Sequence, residues 1–261
     1  MSRISDCFTE LRAAGRTGLV IYICAGDPDL ETTRRLVPAL EAAGADLIEL
    51  GVPFTDPLAD GPSIQRATER ALASGTTLPA ILEMVAELRR ETQVPLLLMT
   101  YYNPVFRYGM ERTAAEARAA GVDGFLITDL PPEEAGEWQP IAADQGLETI
   151  FLLTPTSTPE RIHLASRLAS GFIYCVSRMG VTGARAALPP DLHDLLRRIR
   201  AGTDLPVAVG FGVSQPEHVR QIGKWADAAV VGSAVVNLIG DHGRTCIAPV
   251  TEFVQRLRQV S

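Results

Sequence analysis

The sequence predicts an α/β fold in which eight parallel strands close into a (β/α)8 TIM barrel with an N-terminal amphipathic helix. Three observations support this class. The chain has 261 residues, close to the roughly 250 residues of one such barrel. Eight short apolar runs alternate with helical patterns, as parallel strands joined by helical crossovers do. No G-x-G-x-x-G motif follows the first run, which disfavours the alternative of an open, doubly wound sheet. We therefore expect a single barrel domain over residues 1–261.

The N-terminal segment predicts a short helix that precedes the barrel. Ile4, Cys7, Phe8 and Leu11 recur at the spacing of one helical face. Residues 1–16 contain no long apolar stretch of the kind found in a signal peptide. No run in the chain approaches the ~20 apolar residues of a membrane span. We expect an amphipathic helix and no membrane association.

The predicted strands are nearly continuous in hydrophobicity, as strands covered on both faces are. In chain order they are Leu19–Cys24, Asp46–Leu50, Pro95–Thr100, Gly124–Ile127, Glu148–Leu152, Phe172–Val176, Leu205–Val209 and Ala228–Val231. The helices predicted between them are Leu30–Ala43, Leu78–Arg90, Thr113–Ala120, Glu133–Gln145, Pro159–Leu168, Asp191–Arg200, Pro216–Lys224 and Ala248–Leu257.

Two connections are longer than a crossover needs. Residues 51–94 have room for a loop and two helices, and residues 176–190 follow strand 6. The loops after the strands carry the chemistry in this fold. We expect the functional site there.

Composition excludes several classes of function. The net charge of −7 disfavours a nucleic-acid surface. The four cysteines contain no C-x-x-C pair, which is typical of a reduced, cytoplasmic protein; they are Cys7, Cys24, Cys175 and Cys246. The four histidines lack the spacing of a metal site, so we expect no metal; they are His163, His193, His218 and His242.

The chain has a single lysine, Lys224, and all its other basic side chains are arginines. Arginine stays protonated and forms no Schiff base. Lys224 falls in a predicted surface helix. Lysine-based aldol chemistry and pyridoxal-phosphate chemistry on this chain are therefore disfavoured.

Strand 2 carries a carboxylate in an apolar run. Side chains alternate along a strand, so Leu47 and Glu49 share one face, while Ile48 and Leu50 share the other. If the second pair packs against the helices, Glu49 points into the barrel near its C-terminal mouth. A carboxylate there is costly unless it is paired or functional. The alternative is a salt bridge to an inward arginine, but no neighbouring predicted strand supplies one.

The loop after strand 2 holds two aspartates and three prolines between residues 53 and 62. Asp56 precedes Pro57, and Asp-Pro is a common turn pair. Asp60 is a candidate N-cap for a helix that starts near Pro62. From the residues alone, both aspartates have a structural alternative to a catalytic role.

The segment from Leu47 to Pro62, L-I-E-L-G-V-P-F-T-D-P-L-A-D-G-P, resembles the signature of the tryptophan synthase alpha chain family. The resemblance runs from strand 1 to strand 8, and departures from the family pattern are small: Cys24 stands where threonine is common, and Met179 is at a variable position. The other segments that carry it are Ala25–Pro28, Met99–Pro104, Asp129–Glu134, Ser177–Gly183 and Gly210–Ser214.

The resemblance implies retro-aldol cleavage of indole-3-glycerol phosphate to indole and glyceraldehyde 3-phosphate, with Glu49 and Asp60 as catalytic carboxylates. The chemistry agrees, because an indole ring carbon must be protonated before the C–C bond can break without a lysine imine. A partly desolvated Glu49 is expected to have a raised pKa suited to proton transfer. Asp60, on a wetter loop, is expected to stay ionised and to hold the ring N–H.

A phosphate site is predicted after strands 7 and 8, where helix N-termini bind phosphate in this fold without needing a lysine. Ser214 and Glu217 have the spacing of a capping box at one helix start. A second short helix opens at Gly232-Ser233. Gly183, in the strand-6 loop, completes the site by family resemblance. The remaining candidates are Gly212, Val213, Gly232 and Ser233.

The indole ring needs an apolar slot near the strand ends. For each candidate the alternative is an ordinary barrel-core residue. Thr182 is also placed to hydrogen-bond Asp60. The candidates are Tyr22, Leu98, Tyr101, Leu126, Leu152, Tyr174, Thr182 and Phe211.

The resemblance also implies an α2β2 complex with a beta subunit that carries pyridoxal phosphate, this chain needing no cofactor. We expect the partner to face loops 53–60 and 102–106, with Pro53 and Asp56 on the first. Three alternatives stay open: a stand-alone indole-releasing lyase, a sugar-phosphate isomerase barrel, and a non-catalytic regulatory barrel. The last would be expected to lack Glu49 or Asp60.

Overall fold

The computed structural model describes residues 2–176, 190–210 and 212–259, with only the backbone described at 190 and 191. Eight parallel strands pair in chain order and close into a barrel. They are β1 Gly18–Cys24, β2 Leu47–Gly51, β3 Leu96–Thr100, β4 Gly124–Ile127, β5 Glu148–Leu153, β6 Ile173–Val176, β7 Val207–Gly210 and β8 Ala228–Val231. All eight predicted strands are confirmed, with ends that differ by at most two residues.

The helices cover the outside of the barrel and its floor. They are α1 Arg3–Ala13, α2 Leu30–Ala43, α3 Pro62–Ala73, α4 Leu78–Leu88, α5 Tyr102–Tyr108, α6 Met110–Ala120, α7 Trp138–Asp144, α8 Pro159–Leu168, α9 Pro190–Arg200, α10 Pro216–Gly223, α11 Ser233–His242 and α12 Ile247–Arg258. The long connection after β2 holds two helices, as predicted. The helix predicted over Glu133–Gln145 is shorter, because a 3-10 turn at Pro132–Glu134 and the flexible Gly136 precede α7.

Two apolar layers separate along each strand, because successive side chains point to opposite faces. Ile48 and Leu50 belong to the outer layer between strands and helices. Leu47 belongs to the layer inside the barrel. The predicted faces of strand 2 are therefore confirmed.

The N-terminal helix closes the floor of the barrel. Ile4, Phe8 and Leu11 are buried in the inner layer, and the ring of Phe8 lies 5.4 Å from that of Phe172. Polar side chains complete the floor. One such side chain lies just before each even-numbered strand, and it accepts a hydrogen bond from a backbone N–H group near the start of the preceding odd-numbered strand. These pairs are Asp46 with Leu19 (2.8 Å), Asp123 with Leu96 (2.8 Å), Ser170 with Thr149 (3.0 Å) and Asp227 with Val207 (2.7 Å).

The four cysteines are free, and Cys24, Cys175 and Cys246 are buried. No single helix within the described ranges is long and apolar enough to cross a membrane, although α3 and α4, bent by 91°, reach that length and composition as a pair. Because α1 covers the floor of the barrel, the C-terminal mouth is its open end.

Candidate active site

A cleft of about 250 Å³ opens at the C-terminal ends of the strands. Its wall combines apolar side chains, one carboxylate and several glycines. The lining residues are Tyr22, Ala59, Asp60, Ile64, Met99, Thr128, Leu152, Tyr174, Val176, Gly210, Gly212, Val230, Gly232 and Ser233. The predicted catalytic loop and the predicted phosphate turns thus meet at one cleft.

Glu49 lies inside the barrel beneath this cleft. In the strand register it stands beside Tyr22 of β1 and Leu97 of β3. The residue is completely buried, and neither carboxylate oxygen has a hydrogen-bond partner among the described residues. Burial raises the pKa of Glu49 from 4.5 to about 8. The salt-bridge alternative finds no support, since no described arginine pairs with Glu49.

Two tyrosines share the interior with Glu49. Burial raises the pKa values of Tyr22 and Tyr174 well above the usual range. The charge of Glu49 adds a smaller effect, which at Tyr22 is weaker than those of Cys24 and Asp60. The residue after Leu50 must be small here, because a Cβ at Gly51 would lie 2.2 Å from the Tyr22 hydroxyl. Gly51 therefore admits the Tyr22 ring to the space next to Glu49.

Asp60 stands at the end of the loop after β2. Its backbone N–H donates to Pro57 (3.1 Å), and Gln65 of α3 donates to its carbonyl oxygen (2.9 Å). The N-cap of α3 is Gly61, with no side-chain capping bond. Asp60 is therefore not a helix cap, and that alternative is wrong.

The environment of Asp60 is drier than the sequence suggests. The residue is half-buried, and burial raises its pKa from 3.8 to about 6, against a lowering effect of its hydrogen bond with Tyr101. At pH 7 about ten molecules are still ionised for each protonated one. Glu49 and Asp60 thus hold opposite protonation states at neutral pH.

Tyr101 connects the catalytic loop to β3. Its hydroxyl accepts the backbone N–H of Ala59 (3.0 Å), and its ring lies 5.3 Å from that of Phe54. It also lines a small pocket together with Asp60 and Thr128. Tyr101 therefore holds the backbone beside Asp60 and lines this smaller pocket, but it does not line the main cleft.

Only some of the residues predicted to form the apolar slot line the cleft. Tyr22, Leu152 and Tyr174 line the cleft. Leu126 is fully buried in the inner layer and does not line the cleft, so it fits its core alternative.

The expectation for Leu98 is wrong, because its side chain packs in the outer layer against the helices. Met99 takes its place in the cleft. Alternation puts Leu97 and Met99 on one face of strand 3, and the register that pairs Leu97 with the inward Glu49 makes this the inner face. The sequence shows the alternation but not the register. Thr182 and Phe211 lie outside the described residues.

The predicted phosphate turns converge on the cleft. Gly210, Gly212, Gly232 and Ser233 line it, and Gly212 has a positive φ of 70°. The helix α11 begins at Ser233 with Gly232 as N-cap and no side-chain capping bond, which leaves its first N–H groups for a ligand.

Two details of the phosphate prediction change. The side chain of Val213 is buried in the outer layer, so only its backbone remains for an anion. The capping box is wrong, because α10 is capped at Gln215 and the Glu217 carboxylate binds Arg220 at 2.6 Å. Gly183 lies outside the described residues.

Two large apolar side chains are exposed around the mouth, one in the loop after β2 and one in α5. The segment 102–106, expected as a loop, is therefore part of a helix. Leu58 is 94% exposed and Phe106 is 58% exposed. Asp56 is also exposed, and it accepts a hydrogen bond from Thr55 (2.6 Å). Pro53 is buried at the base of its loop, so the expectation that it faces a partner is wrong.

Other candidate chemistry is sparse within the described ranges. No group of three or more His, Cys, Asp or Glu side chains there has the arrangement of a metal site. Lys224 is exposed at the end of α10. The carboxylates and glycines of the cleft are therefore the groups from which chemistry can be built.

Comparison with known proteins gives a consistent result. A sequence profile described as "Tryptophan synthase alpha chain" matches residues 8–261. The tryptophan synthase alpha chain of Geobacter sp. (strain M21) is 53% identical over 260 residues, which cover 99% of this chain and 97% of that protein. The alpha chain of Solibacter usitatus is 54% identical over 261 residues, which cover 99% and 98%.

Solved structures agree with these sequence relatives. The tryptophan synthase subunit alpha of Legionella pneumophila str. Paris superposes with a TM-score of 0.92 at 37% identity, covering 100% of this chain and 98% of that one. The Pyrococcus furiosus structure, described in terms of mutual activation of the tryptophan synthase α2β2 complex, gives 0.86 at 42% identity, covering 92% and 97%.

Proposed function

The chain belongs to the tryptophan synthase alpha chain family, and from this premise we propose that it cleaves indole-3-glycerol phosphate to indole and glyceraldehyde 3-phosphate, a step of L-tryptophan biosynthesis. The observation that carries the reaction is a pair of carboxyl groups with opposite protonation states at pH 7, Asp60 in the wall of the cleft and Glu49 buried inside the barrel beneath it. Glu49 has a pKa of about 8 and Asp60 one of about 6.

The proposed reaction begins with proton transfer from Glu49. Its neutral carboxyl group protonates the ring carbon that bears the glycerol phosphate chain, which gives an indolenine with a C=N⁺ bond. The Glu49 carboxylate then takes the proton of the adjacent hydroxyl group as the C–C bond breaks. The bonding electrons pass to the ring nitrogen, indole and glyceraldehyde 3-phosphate form, and Glu49 regains its proton. One residue thus serves as acid and base.

The proposed role of Asp60 is to stabilise the positive charge on the ring nitrogen. An ionised carboxylate accepts the N–H hydrogen bond most strongly when that nitrogen is cationic. This preference for the charged intermediate is what accelerates the reaction. The hydrogen bond from Tyr101 and the Ala59 contact support a fixed orientation of the Asp60 loop.

The substrate's other parts fit the rest of the cleft. The phosphate is proposed to bind at the backbone of Gly212, Gly232 and Ser233, where the start of α11 favours an anion. The indole ring is proposed to lie among apolar side chains, including Leu152 and Tyr174. An apolar wall of this kind favours an aromatic substrate over the sugar phosphate of an isomerase.

We further propose a beta subunit as partner, in an α2β2 complex like that described for the Pyrococcus furiosus protein. Leu58 and Phe106 are exposed apolar side chains at the mouth, where a docked partner would bury them. Pyridoxal phosphate is proposed to reside on that partner, because the only lysine of this chain is on the surface. We assign no cofactor to this chain and expect it in the cytoplasm.

The test is indole release from indole-3-glycerol phosphate by the purified chain, followed by a coupled measurement of glyceraldehyde 3-phosphate. Glu49→Gln keeps the side-chain volume and removes the proton transfer. We expect less than ~1% of wild-type turnover, in line with the ~10²–10⁴-fold worth of an acid–base group. The matched control is Glu83→Gln on the exposed side of α4, for which full activity is expected. Equal activity of the Glu49 variant and wild type would rule the mechanism out.

Adding a beta subunit separates the two remaining lyase hypotheses. A subunit of a complex should release indole slowly alone and faster with its partner, because docking on the exposed Leu58 would restrain the part of the loop that the Ala59 and Asp60 hydrogen bonds leave free. A stand-alone lyase should work at full rate alone. We expect at least a tenfold rise on saturation with the beta subunit.

A further inference from the structure

Resting on the proposed function, we propose that the Asp27–Arg70 ion pair fixes the position of α3 relative to β1 and α11. Because Asp60 lies just before α3, the pair thereby fixes the position of Asp60 as well. Neither residue lines the cleft. Arg70 lies eight residues after Pro62, where α3 begins, which is about 12 Å along the helix. The pair would therefore act on the reaction through the placement of the helix and not by contact with substrate.

The pair has the geometry of a rigid connection. Arg70 donates two hydrogen bonds to Asp27, Nε to Oδ1 and Nη2 to Oδ2, both at 2.7 Å. Two parallel bonds fix the orientation of the guanidinium as well as its distance. The Asp27 side chain is completely buried, while that of Arg70 is 35% exposed. An ion pair in such a place resists displacement, because separation would leave a buried carboxylate without a partner.

Further contacts connect α3 to the turn after β1. Ser74, the C-cap of α3, donates to the carbonyl oxygen of Gly26 at 3.1 Å. A Cβ at Gly26 would lie 1.8 Å from the hydroxyl oxygen of Thr76, so this turn is in direct contact with the connection that follows α3. The C-terminal half of α3 is thus attached to the strand that carries Tyr22.

The same guanidinium also lies against α11. A Cβ at Gly240 would be 3.0 Å from Nη2 of Arg70 and 3.2 Å from its Cζ. The glycine therefore lets the flat group approach the helix backbone closely. Because α11 begins at Ser233 in the cleft wall, Arg70 joins the helix of the proposed phosphate site to the helix that follows Asp60.

At its other end, α3 holds the Asp60 loop. Gln65 donates from its side chain to the Asp60 carbonyl oxygen, and its backbone N–H donates to that of Gly61. Ala67 and Ala71 pack in a small buried cluster with Tyr22. A rotation or shift of α3 would consequently move the Asp60 carboxylate relative to the bound ring and phosphate.

The test compares steady-state cleavage by the full chain with Arg70→Gln, Arg70→Lys and a matched control. A displacement of about 1 Å remote from the reacting atoms can cost ~10²-fold in rate. For Arg70→Gln we expect kcat to fall about 10- to 100-fold while KM changes less than about threefold. Arg70→Lys keeps the charge but loses the two-pronged geometry, so it should lose only about fivefold.

The control is Arg3→Gln, which removes the Arg3–Asp123 pair on the floor of the barrel. That pair has nearly the same burial, with the side chains 34% and 2% exposed. The control should unfold at a lower temperature than wild type but keep kcat within about twofold. If Arg70→Gln does not fold, the lysine variant decides the question, and a wild-type kcat for it overturns the proposal.

Other outcomes distinguish failure of the positioning proposal from failure of the proposed function. A rise in KM with unchanged kcat would assign Arg70 to binding and overturn a role through Asp60. Equal losses of kcat in the Arg70 and Arg3 variants would reduce the effect to general stability and overturn it as well. Absence of indole release by the wild-type chain, with and without a beta subunit, would instead refute the proposed function.

Discussion

The stability of Glu49→Gln relative to wild type should increase as the pH rises, because the substitution removes a carboxyl group that is buried without a described partner. The ordinary pKa of 4.5 applies to the unfolded chain, and the folded value is about 8. A folded-state pKa that is raised for an acid means that the folded protein favours the neutral form. The cost of ionisation is therefore absent below pH 4.5, grows between pH 4.5 and 8, and is constant above pH 8.

The magnitude follows from the two pKa values. Each pH unit between them corresponds to about 1.4 kcal/mol, so the interval from 4.5 to about 8 amounts to about 5 kcal/mol at most. At pH 7 the difference is about 3 kcal/mol. This is a large fraction of the 5–15 kcal/mol typical of a folded domain. The wild-type protein thus gives up stability to keep a protonated acid at the position proposed for proton transfer.

Urea denaturation at pH 5, 6, 7, 8 and 9 measures this effect for wild type and Glu49→Gln. The quantity to follow is the difference in unfolding free energy between the two proteins. It should change in favour of the variant by about 1.4 kcal/mol for each pH unit from 5 to 8 and level off above 8. Any fixed cost of the buried amide shifts all points equally and leaves the slope intact. A difference that is constant with pH would refute the assigned burial effect. An exposed control, Glu83→Gln, should stay within about 0.5 kcal/mol of wild type.

Four further predictions concern activity and ligand binding. The kcat/KM profile for indole release should be bell-shaped, rising near pH 6 as Asp60 ionises and falling near pH 8 as Glu49 loses its proton; a flat profile from pH 5 to 9 would contradict both roles. Tyr101→Phe removes the hydrogen bond that lowers the Asp60 pKa, so the acid limb should move to higher pH, and an unmoved limb would count against that bond. Gly212→Ala forces a side chain into a positive-φ position, and it should raise the dissociation constant of glycerol phosphate, measured by calorimetry, about tenfold, with little change in turnover at saturation. For Asp56→Ala, activation by the beta subunit should weaken while the basal rate stays within about twofold; equal loss of both rates would speak against a partner-facing loop.

Much of the fold was accessible from local pattern. The eight strands follow from apolar runs, and the inward face of strand 2 follows from alternation around Glu49. The expectation for Leu98 was wrong, because the inward face of strand 3 depends on the register that pairs Leu97 with Glu49, and only the structure gives that register. The predicted start of α7 was too early, because helical spacing alone does not distinguish a 3-10 turn followed by a glycine from the first turns of an α-helix.

From the sequence by itself, the reaction class follows from the resemblance to the tryptophan synthase alpha chain family. A long motif around Glu49 and Asp60, a chain with one lysine, and glycine turns after two strands restrict the chemistry to carboxylates and backbone N–H groups. These features are local, and residue types at fixed spacing express them directly.

Only the tertiary structure decided the protonation states and the connections between elements. The pKa of Glu49 depends on how many atoms of other strands exclude water, and that of Asp60 depends on Tyr101 from a different loop. The contact of Arg70 with Asp27 and Gly240 joins positions 43 and 170 residues apart. Such quantities arise from distances between parts of the chain that are remote in sequence, so no local pattern contains them, and they appear when the barrel closes.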